Sequence, residues 1–164
     1  MTKLNPFWER KEPVLFSDET IAQRVRELPS VDEELSFFDV TSSEPDPLDF
    51  MFFLQKQFEE VFFGNLKKLP PDQQIGITLD LLNCLTNEIE EVRNELPWKH
   101  WKRYRKEPNH DLIRKEIIDL VHFLLSLCLI WGIDQNNILE EFLRKHTINR
   151  SRLKEQWTTQ TPKG

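Results

Sequence analysis

Two pairs of carboxylates at helical spacing stand out in this 164-residue chain: Glu88 and Glu91, then Glu116 and Asp119. Residues three apart share one face of an α-helix, so two such helices packed together would point four carboxylates at one spot. Hard oxygen ligands are what Mg²⁺ requires, and protein-bound Mg²⁺ commonly also touches substrate phosphates. The chemistry implied is cleavage of a phosphate ester or phosphoanhydride. The same spacing also occurs on solvated helix faces, where it means only surface charge. The setting of Asp119 favours a site, because the chain from Ile117 to Ile133 is largely apolar and acids are rarely buried without a partner or a metal.

Between the two acid pairs lies a basic, aromatic stretch in which Trp98, Trp101 and Tyr104 alternate with Lys99, Lys102, Arg103, Arg105 and Lys106. It is either a solvated connector or a clamp, with cations for phosphates and an aromatic face for a base or sugar. Beside the carboxylates the clamp is favoured, with Trp98, Lys99 and Lys102 as the contacts. Single-stranded nucleic acid would need a longer patch of this kind. Lys145, Asn149 and Arg152 recur at i, i+4 and i+7 on one helix face. They form a surface stripe or, if that face closes over the pocket, Lys145 and Arg152 hold phosphate oxygens and Asn149 bonds the sugar or base. His122, one turn beyond Asp119, is expected to hydrogen-bond within the core rather than to act in catalysis. Glu95, a further turn along from Glu91, reads as a solvated helix end.

The elements that must carry these residues are helical. Ser17 is an N-cap candidate for a short helix over residues 18–28. A second helix spans Leu48 to Phe63, with Gly64 and Asn65 as its stop. Pro71 and Asp72 open a third, whose apolar positions are Ile75, Leu79, Leu82, Leu85, Ile89 and Val92, and Pro97 ends it. A fourth runs from His110 to Trp131, and Asp134 caps a fifth that continues to about Trp157. No strand pattern or repeat is present. The expectation is an all-α bundle of four to five helices, residues 48–158, with an acidic, proline- and aromatic-containing arm (1–47) before it and a flexible tail (159–164) after it.

The net charge is −6, and it is unevenly placed. Of 22 basic and 28 acidic residues, five and eleven fall within residues 1–48, which leaves seventeen of each in the remainder. A neutral bundle lacks the basic face that duplex nucleic acid demands. Cys84 and Cys128, both in apolar helical runs, read as reduced core residues and leave no disulfide framework or zinc site. The longest apolar stretch, Leu120 to Ile133, is too short to cross a bilayer, and the first thirteen residues contain no apolar run resembling a signal peptide. A cytoplasmic protein without membrane partners is expected.

The order of these motifs resembles the all-α nucleoside triphosphate pyrophosphohydrolases of the MazG and dimeric dUTPase superfamily, most closely the dimeric dUTPases. The resemblance is carried by Glu88, Glu91, the segment Trp98-Lys99-His100-Trp101-Lys102, and Glu116 to Phe123 leading into Leu124-Leu125-Ser126-Leu127. Lys145, Asn149 and Arg152 add a weaker echo. It implies that Glu88, Glu91, Glu116 and Asp119 ligate Mg²⁺, that Glu91 or Glu88 activates the attacking water, and that the protein is a homodimer. It further implies hydrolysis of a deoxynucleoside triphosphate, dUTP first, to the monophosphate and pyrophosphate.

In that family the first bundle helix presents a glutamine and, four residues on, an asparagine to uracil. Here Gln55 is kept and Glu59 stands at the second place. Because an ionised glutamate only accepts hydrogen bonds, Glu59 opens dCTP, a purine nucleotide or a damaged nucleotide as alternatives. The alternative from another class is a noncatalytic helical interaction module.

Overall fold

The computed structural model describes residues 16–30, 33, 46–103 and 107–158. Phe7, Trp8, Phe37 and Phe38 of the expected arm, Tyr104, Arg105 and Lys106 of the basic stretch, and the tail 159–164 lie outside the described residues. Among the described residues there are five α-helices, one 3₁₀ turn and no strand. The chain is all-α, as the periodicity predicts. It divides into two compact units, residues 1–132 and residues 133–164.

In the first unit, α1 (Asp18–Glu27) starts where Ser17 accepts the backbone N–H of Thr20 at 3.3 Å, and ends at Leu28, ahead of a proline that excludes a helical predecessor. Helix α2 (Pro47–Phe63) is opened by Asp46, whose Oδ1 accepts the N–H of Leu48 at 2.8 Å, and by a proline at its first position. A 3₁₀ turn (Leu66–Lys68) leads to α3 (Pro71–Asn94), and Asn109 caps α4 (His110–Ile130) by accepting from Asp111 and Leu112 at 3.2 Å each.

Helix α4 is the centre of this unit and packs against both α2 and α3. Gln74 and Thr78, early in α3, meet Ile130 and Trp131 at the end of α4, so the two helices run antiparallel. By contrast, Gln55 and Glu59 of α2 pair in ascending order with His122 and Ser126, which sets α2 parallel to α4. Leu66, Ile77, Leu81 and Ile130 form the buried cluster, with Phe63, Leu69, Phe123, Leu127 and Leu129 packed against it.

The apolar face of α3 differs in part from the sequence expectation. Ile77, Leu81 and Leu85 turn inward, whereas Leu82 and Ile89 are 46% and 54% exposed. Two apolar stripes share this helix and only one can face α4, so the 3.6-residue period alone does not say which. Helix α1 docks on α2 through Arg24, whose Nη1 donates to the Glu60 carbonyl at 2.9 Å and whose guanidinium lies 3.8 Å from the centre of the Phe16 ring.

The second unit is α5 (Ile138–Thr158) with the turn before it. Asp134 accepts from Asn136 at 3.0 Å and its carbonyl takes the N–H groups of Asn137 and Ile138. It therefore caps a turn, and the helix proper begins at Ile138, later than the cap expected from sequence. An aspartate competes for nearby backbone N–H groups in turns as readily as in helix starts.

Gly64, the α2 stop, has φ 70° and ψ −142°, a region essentially reserved for glycine, and a Cβ there would meet the Phe16 ring at 3.0 Å. Gly132 also has positive φ (74°), but nothing lies within 4 Å of where its Cβ would stand. Gly64→Ala should lower stability by about 1–3 kcal/mol. Gly132→Ala should lose less, since only the backbone penalty applies. Chemical denaturation of the two variants beside the parent checks this, and equal losses would mean that the docking of Phe16 carries no weight.

Candidate metal centre

The antiparallel seam of α3 and α4 brings the acids together. One carboxylate oxygen from each of Glu88, Glu116 and Asp119 lies within 4.8 Å of the other two, with Glu116 buried and the other two half-buried. Oxygens around Mg²⁺ at about 2.1 Å stand about 3.0 Å apart when adjacent and about 4.2 Å apart when opposite, so this set has to draw in toward an ion. Glu91 is the fourth acid of the face. It is exposed and outside the converging trio, yet close enough for its charge to act on Glu88.

Burial first, then the charges of Glu91, Asp119 and Glu116, push the Glu88 carboxyl above the usual carboxylate range, and Lys115 opposes them. Helix packing thus holds like charges closer than they would choose, and a hard divalent cation is the group that relieves this. The residues present fit such an ion. Asp119 was expected amid apolar surroundings, but Ile117 and Ile118 beside it are 44% and 53% exposed, and Glu116 is the buried acid. One face of α4 is apolar toward the core and another is apolar toward solvent, which a one-dimensional run of residues does not separate.

After α3 the chain turns back on the helix end. Trp98 lies under Arg93, whose guanidinium is 3.8 Å from the ring centre, with Lys99 Nζ at 4.8 Å and Trp101 edge-on at 5.6 Å. Arg93 is also held by Glu90 at 2.8 Å. Trp98 and Lys99 are half-buried and Lys102 is exposed, so the expected cations stand close to the end of the helix that bears Glu88 and Glu91. Arg93 was not singled out from sequence, and its place five residues before Trp98 gives no helical signal once the helix has ended.

The remaining predicted residues fall in two further places. Gln55 and Glu59 are 5% and 4% exposed on the α2–α4 seam, where Gln55 Nε2 donates to Glu59 Oε1 at 3.1 Å and to Ser126 Oγ at 2.8 Å. Ser126, fully buried, donates to Glu59 Oε1 at 2.6 Å, and His122 Nδ1 is 2.7 Å from Gln55 Oε1. His122 has the hydrogen-bonding place expected of it, although the residue as a whole is exposed. Ser126 was missed as a functional residue. Its signal was available: it is the only hydroxyl in the apolar run from Leu120 to Ile133, where a polar group needs a partner. Lys145, Asn149 and Arg152 are exposed along α5 in the second unit.

A family model described as dUTPase matches residues 48–137, just over half of the chain, from the first residues of α2 to the turn before α5. The chain belongs to the all-α dUTPase family. No individual curated protein and no solved structure matches it. The matched segment of this dUTPase-family chain contains all four acids, the Trp98 loop and the Gln55–Glu59 pair, and leaves α5 outside. Among the described residues no helix is long and apolar enough to cross a membrane.

Because the Glu88 carboxyl is raised in the folded protein, its protonation favours folding, and its ionised form costs stability once pH passes above the raised value. In chelator at neutral pH, Glu88→Gln should melt slightly above the parent, by about 0.5–2 °C for a screened like-charge pair of a few tenths of a kcal/mol. That advantage should shrink as pH falls through the Glu88 titration, and Mg²⁺ should reverse it by stabilising the parent alone. A thermal melt series in pH and Mg²⁺ reads all three, and a parent indifferent to Mg²⁺ would remove the metal centre.

Proposed function

We propose that the protein hydrolyses a deoxynucleoside triphosphate, with dUTP as the leading substrate, between the α and β phosphates to give the monophosphate and pyrophosphate. The observation that carries this reading is the meeting of Glu88, Glu116 and Asp119 within 4.8 Å, inside the segment matched by the dUTPase model. Glu88, Glu91, Glu116 and Asp119 would hold Mg²⁺. When bound, the ion supplies neutralising charge for the phosphates and for the departing pyrophosphate.

The base is drawn from the same four acids. Water oxygen forms a bond to the α phosphorus, the bond from that phosphorus to the α–β bridging oxygen breaks, and the electron pair leaves on pyrophosphate. The water proton passes to a carboxylate. Glu91, exposed and outside the tight trio, is our choice for that base, with Glu88 behind it. Lys99 and Lys102 neutralise phosphate oxygens, and Trp98, held rigid by Arg93, offers an aromatic face to the base or sugar. Gln55 and Glu59 belong to the base-recognition side, and Lys145, Asn149 and Arg152 share a face of α5 with the donors that phosphates and a sugar require.

The active form is a homodimer in the cytoplasm, with residues 48–158 as the catalytic region. Support for pairing comes from large apolar residues left exposed on the helices that bear the acids, among them Ile89, Ile117, Ile118 and Leu124.

Pyrophosphate release from each common deoxynucleoside and ribonucleoside triphosphate, with Mg²⁺ and with chelator, is the test. Glu91→Gln should lower kcat by about 10²–10⁴-fold, the usual range for removing a general base. Asp119→Asn should abolish metal-dependent turnover. Silence on every nucleotide from a protein that is helical by circular dichroism would sink the enzymatic reading.

A further inference from the structure

The polar cluster between α2 and α4 has a direction, and Glu59 sets it. Glu59 is 4% exposed, and the groups that hold its Oε1 are neutral donors, the Ser126 hydroxyl at 2.6 Å and the Gln55 amide at 3.1 Å. A carboxyl oxygen that already takes the Ser126 hydroxyl is an acceptor. The amide nitrogen of Gln55 must therefore face Glu59, because the reversed amide would set one oxygen against another at 3.1 Å. That choice turns Gln55 Oε1 toward His122 Nδ1 at 2.7 Å, a contact that requires a proton on Nδ1. In a neutral imidazole the second nitrogen, Nε2, is then a bare acceptor. His122 is exposed, it lies three residues beyond Asp119 on the same helix, and no protein group takes Nε2 among the described residues.

We propose that Glu59 is a positioning residue: through Gln55 it holds His122 in the Nδ1–H tautomer, so that Nε2 offers an acceptor to a donor hydrogen of the nucleotide. The tautomer stands on the geometry alone, and the ligand half rests on the nucleotide-hydrolysing reading above. The donor is either the imide N–H or amine of the base, or the 3′-hydroxyl of the sugar. Glu59 thereby shapes selectivity without touching the ligand. A serine in mid-helix completes the relay, since Ser126 Oγ accepts the second Gln55 N–H at 2.8 Å and leaves the amide no slack.

Long-range proton–nitrogen NMR of the imidazoles decides the first half. It is run on the full chain without nucleotide at pH 8, where an ordinary imidazole is neutral, with His122→Asn to assign the signal. The parent should show a protonated Nδ1 and a bare Nε2 at His122. Glu59→Gln, nearly isosteric but able to donate as well as accept, should let the Gln55 amide reverse and give a mixture of tautomers. Ser126→Ala should lower the melting temperature, because it strips partners from two buried groups, yet keep the pure Nδ1–H form. An Nε2–H tautomer in the parent, or a Glu59→Gln spectrum identical to the parent's, would overturn the relay.

Steady-state kinetics decides the second half. Glu59→Gln should raise KM for dUTP about three- to tenfold, the worth of one neutral hydrogen bond, with kcat within about twofold. N3-methyl-dUTP and 2′,3′-dideoxy-UTP separate the sources: the parent should discriminate against the one that lacks the donor His122 accepts, and Glu59→Gln should discriminate less. An unchanged KM, or a parent that uses both analogues as well as dUTP, would overturn the ligand contact. A parent that turns over no nucleotide would defeat the hydrolytic reading and this contact together, while the tautomer would still be decided by the spectrum.

Discussion

Three carboxylates within 4.8 Å of one another are an unfavourable arrangement that the rest of the first unit exists to enforce. Like charges at that distance repel, and burial first, with that repulsion added to it, raises the Glu88 carboxyl. What keeps them together lies at the opposite end of the same seam. There Leu66, Ile77, Leu81 and Ile130 are buried, Gln74 donates to the Ile130 carbonyl at 2.7 Å, and Trp131 donates to Thr78 at 3.1 Å. The favourable end fixes the register of α3 against α4, and antiparallel geometry carries that register to the acids. Apolar burial and acid repulsion are thus placed at the two ends of one rigid pair of helices. Neither end could be exchanged for the other without losing the core or the site.

The α2–α4 seam solves a different problem with the same helix. Glu59 lies within the burial range of the apolar core, and a buried acid held by neutral donors is costly unless each donor is well placed. The network gives that placement by sharing: Ser126 serves Glu59, Gln55 and the backbone carbonyl of its own helix at His122. Helix α4 therefore has two polar clusters, carboxylates toward α3 and a hydrogen-bonded set toward α2. The second ties α2 to α4, and through α4 the acids gain a second support that does not depend on the α3 seam.

Much of this was legible before any coordinates. The cap Ser17, the proline start of α3 and the glycine stop Gly64 are local chemistry, and the helices begin and end at them or within a few residues. The acid pairs were legible because i, i+3 spacing holds in any helix. What was not legible depends on neighbours distant in sequence. Which apolar stripe of α3 faces inward is decided by α4, and so Leu82 and Ile89 came out exposed. That Glu116 and not Asp119 is the buried acid depends on the same seam. Ser126 and Gln55 stand 71 residues apart, and no periodicity links them. Asp134 failed as a helix cap because a turn competes for the same side-chain oxygen.

The apolar residues that flank the acids give the site a second dependence. Ile89 follows Glu88, and Ile117 and Ile118 lie between Glu116 and Asp119, all of them between 44% and 54% exposed. Whatever covers these side chains gains roughly 25 cal/mol for each Å² of apolar surface removed from water. A cover that reaches as far as the acid cluster also removes water from it, and in a poorer dielectric the repulsion among the carboxylates grows. Covered without a cation, the face therefore pays in electrostatics part of what it gains in burial. With a cation the sign changes, because the attraction between ion and carboxylates is strengthened by the same loss of water. Metal loading and such coverage would then be thermodynamically linked, and by reciprocity a cover would tighten the metal as much as the metal tightens the cover.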